Sequence, residues 1–171
     1  RTRRPLSGMV IDVDQFKTGV EPLALAGSDR PYPNPVSQFF EHGLELVGFV
    51  VEPRRVAAGD TVDLVTYWRP SQSLPADYTF FAQVVGQDTT RYAAADVAPS
   101  PPTRDWAVGQ VVELHMPLVL EPSTPPEAYP LIVGLYTLTA DGGFDRLQQV
   151  TPDGRLTDDF LTLTLVRVDE R

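Results

Sequence analysis

The stretch from Ala57 to Val85, AAGDTVDLVTYWRPSQSLPADYTFFAQVV, decides the fold class of this chain. From Thr61 to Arg69 apolar and β-branched residues recur at every second position, which is the period of a strand with a buried face. A second aromatic run extends from Tyr78 to Val85, and the polar segment between the two runs holds two prolines, which do not suit a helix. The sequence therefore predicts a buried antiparallel strand pair at the centre of an all-β domain, with Trp68 and Tyr78 in its core.

The rest of the chain repeats this pattern. Short apolar or alternating runs bounded by Gly, Pro and Asp recur at intervals of roughly 8 to 20 residues, and no stretch shows the 3.6-residue period of an amphipathic helix. Gly48 predicts a bulge or a close backbone approach, and Asp141-Gly142-Gly143 predicts a hairpin turn. The further predicted strands are Gly8 to Phe16, Glu21 to Ala26, Leu44 to Val51, Thr90 to Ala95, Val111 to Leu118, Tyr129 to Thr137, Phe144 to Val150 and Phe160 to Val168.

About eight to ten strands of this kind are most simply buried when two sheets pack face to face. The predicted fold is therefore all-β: an antiparallel two-sheet β-sandwich, immunoglobulin-like or jelly-roll-like, with a closed barrel as the alternative. Residues 37–171 are expected to form the sandwich. Residues 1–36 are expected to form an N-terminal extension with one or two strands and the proline-rich loop Ser28 to Pro35, and the two parts to make one compact unit.

Composition limits the partners of the chain. The formal net charge of −9 argues against nucleic acid, because binding to phosphates requires a basic surface. There is no cysteine, so neither disulfides nor thiolate metal ligands are available. No apolar run approaches the roughly 18 residues of a transmembrane helix, so no membrane-spanning segment is predicted within these residues. Because the chain begins with Arg1 rather than Met, we expect a fragment or processed product of a longer protein.

The order of several short motifs resembles a recurring β-sandwich module. The motifs are Gly59-Asp60-Thr61, Tyr67-Trp68-Arg69, Asp77 to Phe81, Pro102 to Gly109 and Val133 to Tyr136. The module is associated with the extracytoplasmic C-terminal regions of bacterial membrane glycosyltransferases of the dolichyl-phosphate-mannose mannosyltransferase type, and with surface proteins, especially of Chloroflexi. The resemblance, which covers Phe40 to Val168, implies an extracytoplasmic accessory domain at the membrane or cell envelope. It implies no transferase activity, since nothing of the membrane-embedded catalytic part is present.

No arrangement of residues typical of a catalytic, cofactor or metal site stands out. His42 and His115 show neither HxH nor HExxH spacing, and no serine lies in a GxSxG elbow. Turn and solvation roles best explain the acid pairs, which are Asp12 with Asp14, Asp141 with Asp145, and Asp158 with Asp159. The alternative for the first two pairs is chelation of Ca²⁺, although neither completes an EF-hand spacing. We therefore predict no catalytic residue, no metal and no cofactor, and expect that the domain is not an enzyme.

Aromatic residues in loops are the best candidates for binding. Trp106 lies between turns, with Arg104 and Asp105 beside it, and a tryptophan flanked by planar charged groups suits a sugar-stacking platform. Tyr92 and Tyr32 are predicted to extend this surface. The alternative is that Trp106 closes one end of the sandwich.

These observations favour a non-catalytic, extracytoplasmic interaction or scaffold module that contacts glycans or a protein subunit of the envelope. The alternative from another class is a hydrolase acting on glycans, which predicts two carboxylates converging in a cleft. A third interpretation is a subunit that pairs with a partner through an exposed sheet edge, with residues 1–35 as the donor or linker.

Overall fold

Eleven β-strands and two short 3₁₀-helices make up residues 32–171, the part of the chain that the computed structural model describes. Within this part there is no α-helix, and no helix long and apolar enough to cross a membrane. The strands are β1 (Asn34–Phe40), β2 (Leu44–Glu52), β3 (Arg55–Ala57), β4 (Thr61–Pro70), β5 (Thr79–Val85), β6 (Arg91–Val97), β7 (Val112–Val119), β8 (Ala128–Leu138), β9 (Phe144–Arg146), β10 (Gln149–Val150) and β11 (Leu161–Asp169). The 3₁₀-helices are Glu41–Gly43 and Thr103–Asp105.

The strands form two sheets that pack face to face. Sheet one has five strands in the order β10-β1-β2-β4-β7. Sheet two has six, in the order β3-β11-β8-β5-β6, with β9 paired to β8. Within residues 32–171 the pairings are antiparallel except that of β3 with β11, which is parallel. The predicted all-β sandwich is confirmed, with one parallel strand pair added.

Aromatic side chains fill the centre of the space between the sheets. Trp68 is fully buried, and its indole N–H donates a hydrogen bond of 2.8 Å to the Thr66 hydroxyl. The Trp68 ring centroid lies 5.7 Å from that of Phe40 and 4.9 Å from that of Phe80. Tyr78 is buried as well. The predicted core positions of Trp68 and Tyr78 are therefore confirmed, and burial of such rings dominates the hydrophobic stabilisation of a small domain.

The predicted pairing of the two central strands is wrong. β4 pairs with β2 and β7 in sheet one, whereas β5 pairs with β6 and β8 in sheet two. The chain crosses between the sheets over residues 71–78. Pro70 ends the ladder of β4, and Leu74 is buried within the crossing segment. The two strands therefore meet through side chains across the core and not through backbone hydrogen bonds.

Other differences concern the edges of the predicted elements. β3 was not predicted, and the run from Phe144 to Val150 divides into β9 in sheet two and β10 in sheet one. The alternation of Leu161, Leu163 and Leu165 with threonines predicts that the three leucines face one way. A register shift in β11 between Thr162 and Thr164 turns Leu165 outward, where it is exposed, so this prediction does not hold. The bulge at Gly48 is confirmed, with a register shift between Leu46 and Gly48.

The N-terminal predictions fall mostly outside the described residues. The strands predicted for residues 8–16 and 21–26 lie outside the described residues, as does the first half of the predicted loop at residues 28–35. β1 begins at Asn34 and therefore crosses the predicted boundary between residues 36 and 37.

The two ends of the sandwich carry different features. At one end, which we call the hairpin end, Ser71 N–H bonds the Gly43 carbonyl and β8 turns through residues 139–143 into β9. At the other, which we call the terminal end, Arg171 donates to the Ala58 carbonyl and to the Asp60 carboxylate. The candidate site lies at the hairpin end.

Candidate functional site

Trp106 closes the core and offers no free ring face. Its side chain is 5 % exposed, and its ring stacks on Phe80 with centroids 5.7 Å apart and an interplanar angle of 17°. The indole N–H donates to the Pro101 carbonyl at 3.0 Å. A stacking platform needs an accessible ring face, so the geometry argues against the predicted role of Trp106 and fits the alternative, the closing of one end of the sandwich.

Arg104 and Asp105 are exposed beside Trp106. The guanidinium of Arg104 donates two hydrogen bonds to the Asp77 carboxylate, of 3.2 Å to Oδ1 and 3.0 Å to Oδ2. These bonds hold the pKa of Asp77 below its ordinary value. Arg104 therefore ties the 3₁₀-turn to the segment before β5.

Tyr92 and Tyr32 lie elsewhere. Tyr92 is at the terminal end, where its ring centroid is 4.9 Å from that of Tyr129. Tyr32 lies on the outer face of sheet one, directly over Gly48, with its ring centroid 4.7 Å from that of Tyr67, and burial raises its pKa to about 12. The structure thus distributes the five predicted binding residues over three places and does not assemble them into one site.

A different aromatic ring is exposed at the hairpin end. Phe144, the first residue of β9, is 69 % exposed. The turn before it is built by its own sequence: Gly142 adopts a φ of +87°, and the Thr139 hydroxyl accepts a hydrogen bond from Gly143 N–H at 3.0 Å. The turn therefore fixes where Phe144 projects from the sheet.

The neighbours of Phe144 hold its ring in place. The Tyr136 ring meets it edge to face, with centroids 5.1 Å apart and an angle of 87°. The Tyr136 hydroxyl donates to the Asp96 carboxylate at 2.6 Å, and this hydrogen bond raises the pKa of Tyr136. Next along β9, the Arg146 guanidinium lies 4.5 Å above the Phe81 ring centroid, a cation–π contact that orients it.

Phe144 borders a polar cleft of about 540 Å³, which we call the Phe144 cleft. Arg146 lies 3.6 Å from the Asp159 carboxylate across it, and the Gln148 side-chain amide donates to the Thr157 carbonyl at 2.7 Å. The cleft thus combines a ring face with carboxylate acceptors and a planar guanidinium donor. Besides Phe144 it is lined by Asp145, Arg146, Gln148, Thr157, Asp158 and Asp159.

Most residues of this site were noted in the sequence, but their proximity in the fold was not predicted. The hairpin at Asp141-Gly142-Gly143 is confirmed, yet Phe144 was interpreted only as a strand residue. Asp145, Asp158 and Asp159 were assigned to turns, and the return of the chain beside β9 brings them to one cleft. An aromatic residue at the start of a short strand after a DGG turn was the available signal.

The described residues hold no group of three or more His, Asp or Glu side chains that could bind a metal ion. His42 is exposed at the hairpin end with a positive φ of 65°. His115 lies on the outer face of β7, where its Nε2 hydrogen-bonds Glu113. The two histidines are not brought together in a site.

No protein-family model matches the chain, and no curated protein matches it. Among solved structures, the C-terminal domain of Wzt is similar, with a TM-score of 0.54 and 10 % identity over 81 % of this chain and 83 % of that one. The two chains share a fold. The structure titled "AvmM Catalyzes Macrocyclization in Alchivemycin A Biosynthesis" aligns over 81 % of this chain and 97 % of its own, with 13 % identity and a TM-score of 0.38, too low to support an argument. The likeness to the Wzt domain shows the β-sandwich, and the mannosyltransferase-type resemblance stays a prediction.

Proposed function

We propose that this domain is a non-catalytic glycan-contacting module that binds sugar units in the Phe144 cleft. The observation that carries the proposal is the 69 % exposure of an aromatic ring that packs edge to face on Tyr136 at the border of a polar cleft. Isolated exposed apolar side chains are common on protein surfaces, and Phe144 is one of several in the described residues. What supports a binding role for Phe144 is that its ring lies beside clustered polar groups that can hydrogen-bond a ligand.

The chemistry of the cleft matches that of a pyranose ring. A sugar presents a C–H face, which packs on an aromatic ring, and a rim of hydroxyls, which both donate and accept hydrogen bonds. Phe144 supplies the ring, the carboxylates of Asp145 and Asp158 supply acceptors, and Arg146 supplies donors. All of these line one cleft.

The site is also preorganised. Tyr136 fixes the Phe144 ring, and Tyr136 is itself fixed by its hydrogen bond to Asp96. Arg146 is held between the Phe81 ring and the Asp159 carboxylate. Side chains that are already ordered lose little entropy on binding, so a shallow site of this kind retains useful affinity.

The test is a glycan array followed by calorimetric titration of the glycans that bind. Phe144→Ala is expected to weaken binding about tenfold or more, which corresponds to about 1.4 kcal/mol, whereas Phe144→Trp retains it. Leu165→Ala is the matched control, because Leu165 is a similarly exposed apolar residue of sheet two. Leu165 pairs with Pro130 of β8 and Phe144 pairs with Leu138 of the same strand, and these two partners lie about 27 Å apart. Unchanged binding by Phe144→Ala, or an equal loss in Leu165→Ala, would contradict the proposal.

One observation favours a second candidate function, hydrolysis of the bound glycan. Asp145, Asp158 and Asp159 line the same cleft, and a glycosidase uses two carboxyl groups that flank the scissile bond of its substrate. Asp159 is paired with Arg146 and is a structural element of the cleft, which leaves Asp145 and Asp158 for catalysis. Release of reducing ends from a bound glycan, lost in both Asp145→Asn and Asp158→Asn, would establish the enzyme; binding without release supports the non-catalytic module.

We also propose that the domain works outside the cytoplasm, as an accessory part of a membrane or envelope protein. The motif order from Gly59 to Tyr136 supports this placement. Fractionation of cells that express the full reading frame, with detection by an antibody to this domain, tests it. Recovery in the cytoplasmic fraction alone would contradict it.

A further inference from the structure

A second cleft lies at the hairpin end, against the edge of sheet one. It measures about 750 Å³, and Phe39 of β1, which is 38 % exposed, forms part of its wall. Among the described residues that line it there is no Asp, Glu, Lys or Arg side chain. The apolar and amide groups that characterise it belong to Phe39, Val150, Pro152, Gln38 and Gln72, with the imidazole of His42 beside them.

One short β-hairpin lines both clefts. β10 pairs back on the chain through hydrogen bonds of 2.8 Å from Gln149 N–H to the Asp158 carbonyl and 2.9 Å from Thr157 N–H to the Gln149 carbonyl. The base of this hairpin contributes Gln148, Thr157 and Asp158 to the Phe144 cleft. Its strand and tip, residues 150–152 and 154, line the second cleft.

The clefts are close together. Gln148 lines one and Val150 the other, and two residues of extended chain span about 7 Å. The hairpin is held in register by a further bond of 2.8 Å from Thr151 N–H to the Arg155 carbonyl. The chain segment between the two clefts is therefore held by backbone hydrogen bonds.

We propose that the second cleft is a further sugar subsite, and that the ligand is a linear glycan of several units lying across the hairpin of residues 148–158. This inference rests on the proposed function of the Phe144 cleft. Phe39 provides a second aromatic surface, and the side-chain amides of Gln38 and Gln72 lie beside it as polar groups for hydroxyls. Because the lining carries no carboxylate or cationic chain, this subsite suits an uncharged sugar unit.

Two linked subsites predict a dependence on ligand length. Once a chain reaches the second cleft, its binding there becomes intramolecular, so affinity increases in a step and not gradually. The probes are malto-, cello- and manno-oligosaccharides of one to six units, three neutral series that differ in linkage, titrated by calorimetry. For the series that binds, we expect affinity to rise about tenfold between the short and the long members.

Variants separate the two subsites. Phe39→Ala and Gln72→Ala are expected to remove the gain with length and to leave the affinity for the shortest binding member within about twofold of wild type, whereas Phe144→Ala weakens every member. Val119→Ala, an exposed apolar residue on the far edge strand β7, is the matched control and keeps the full gain. Thermal melts of each variant confirm folding.

The outcomes distinguish the two proposals. Affinity that does not rise with length, or a gain with length that survives both Phe39→Ala and Gln72→Ala, overturns the second subsite and leaves the Phe144 cleft standing. Wild-type protein that binds no member of any series overturns the second subsite for neutral glycans, and an array without any signal overturns the proposed function as well.

Discussion

Substitution of Trp106 separates a structural residue from a ligand-binding one. Its neighbours in sequence suggested a sugar platform, whereas its contacts place it inside the core against Phe80. Trp106→Ala is therefore expected to lower the free energy of unfolding substantially, and Trp106→Phe to lower it a little. Neither variant, once folded, should change glycan affinity.

The magnitudes follow from the contacts of the indole. Removal of a buried tryptophan side chain costs about 3–5 kcal/mol, because the apolar surface is lost and the cavity collapses only partly. Phenylalanine keeps most of the stacking on Phe80 but loses the hydrogen bond to the Pro101 carbonyl, which is worth about 1 kcal/mol. Against a typical total of about 5–15 kcal/mol, the alanine variant unfolds under mild conditions and the phenylalanine variant melts only a few degrees lower.

Urea unfolding followed by fluorescence measures both effects. The chain has two tryptophans, so Trp106→Phe leaves Trp68 as the only indole, and its fully buried ring should keep the emission blue-shifted until the domain unfolds. Arg104→Ala serves as the control, since its ion pair with Asp77 is at the surface and its midpoint should lie close to that of wild type. A Trp106→Ala variant as stable as wild type, or a folded one that no longer binds glycan, would refute the reasoning.

Two further predictions concern close packing and protonation. Gly134→Ala should lower the free energy of unfolding by about 1–3 kcal/mol, as measured by urea titration. The new Cβ would lie 2.5 Å from a Phe81 ring carbon and 3.0 Å from the Asp159 carbonyl oxygen. An unchanged free energy would mean that the outer face of sheet two is less tightly covered than described. The hydrogen bond to Glu113 raises the pKa of His115, so this pair adds a little stability that is complete below the unfolded pKa of about 6.5 and is lost as pH rises through the folded value. NMR titration should show a lower His115 pKa in Glu113→Gln, and an unchanged pKa would contradict the pairing.

Period-two patterns were enough to predict the fold class and most strands. The alternation in β4 and β7 is visible in the chain because one face of each strand packs on the core. The partners of β4 were not predictable in the same way. Pro70 shows where that strand ends, but whether the chain then pairs back or crosses to the opposite sheet depends on the whole topology.

The candidate site shows the same limit of prediction from the sequence. Trp106, a binding candidate because of its loop position, is buried, whereas Phe144, which the sequence placed only in a strand, is exposed. Trp106 follows a turn that directs it inward onto Phe80, whereas Phe144 lies in a three-residue strand that pairs only with the far end of β8. Local chemistry can nominate an aromatic residue, but tertiary contacts decide which ring remains accessible.

The terminal end gives the domain a polarity. Arg171 bonds the turn that contains Asp60, and Arg54 joins Asn34 of β1 to Thr164 of β11, so β1 starts and the chain finishes toward the same pole. Both clefts lie at the opposite, hairpin end of the sandwich. The strand β8 connects the two ends, and its eleven residues span roughly 35 Å. A reporter, a surface tether or a neighbouring domain fused to the C-terminus will therefore lie at the terminal end. It will leave the two clefts at the hairpin end unobstructed.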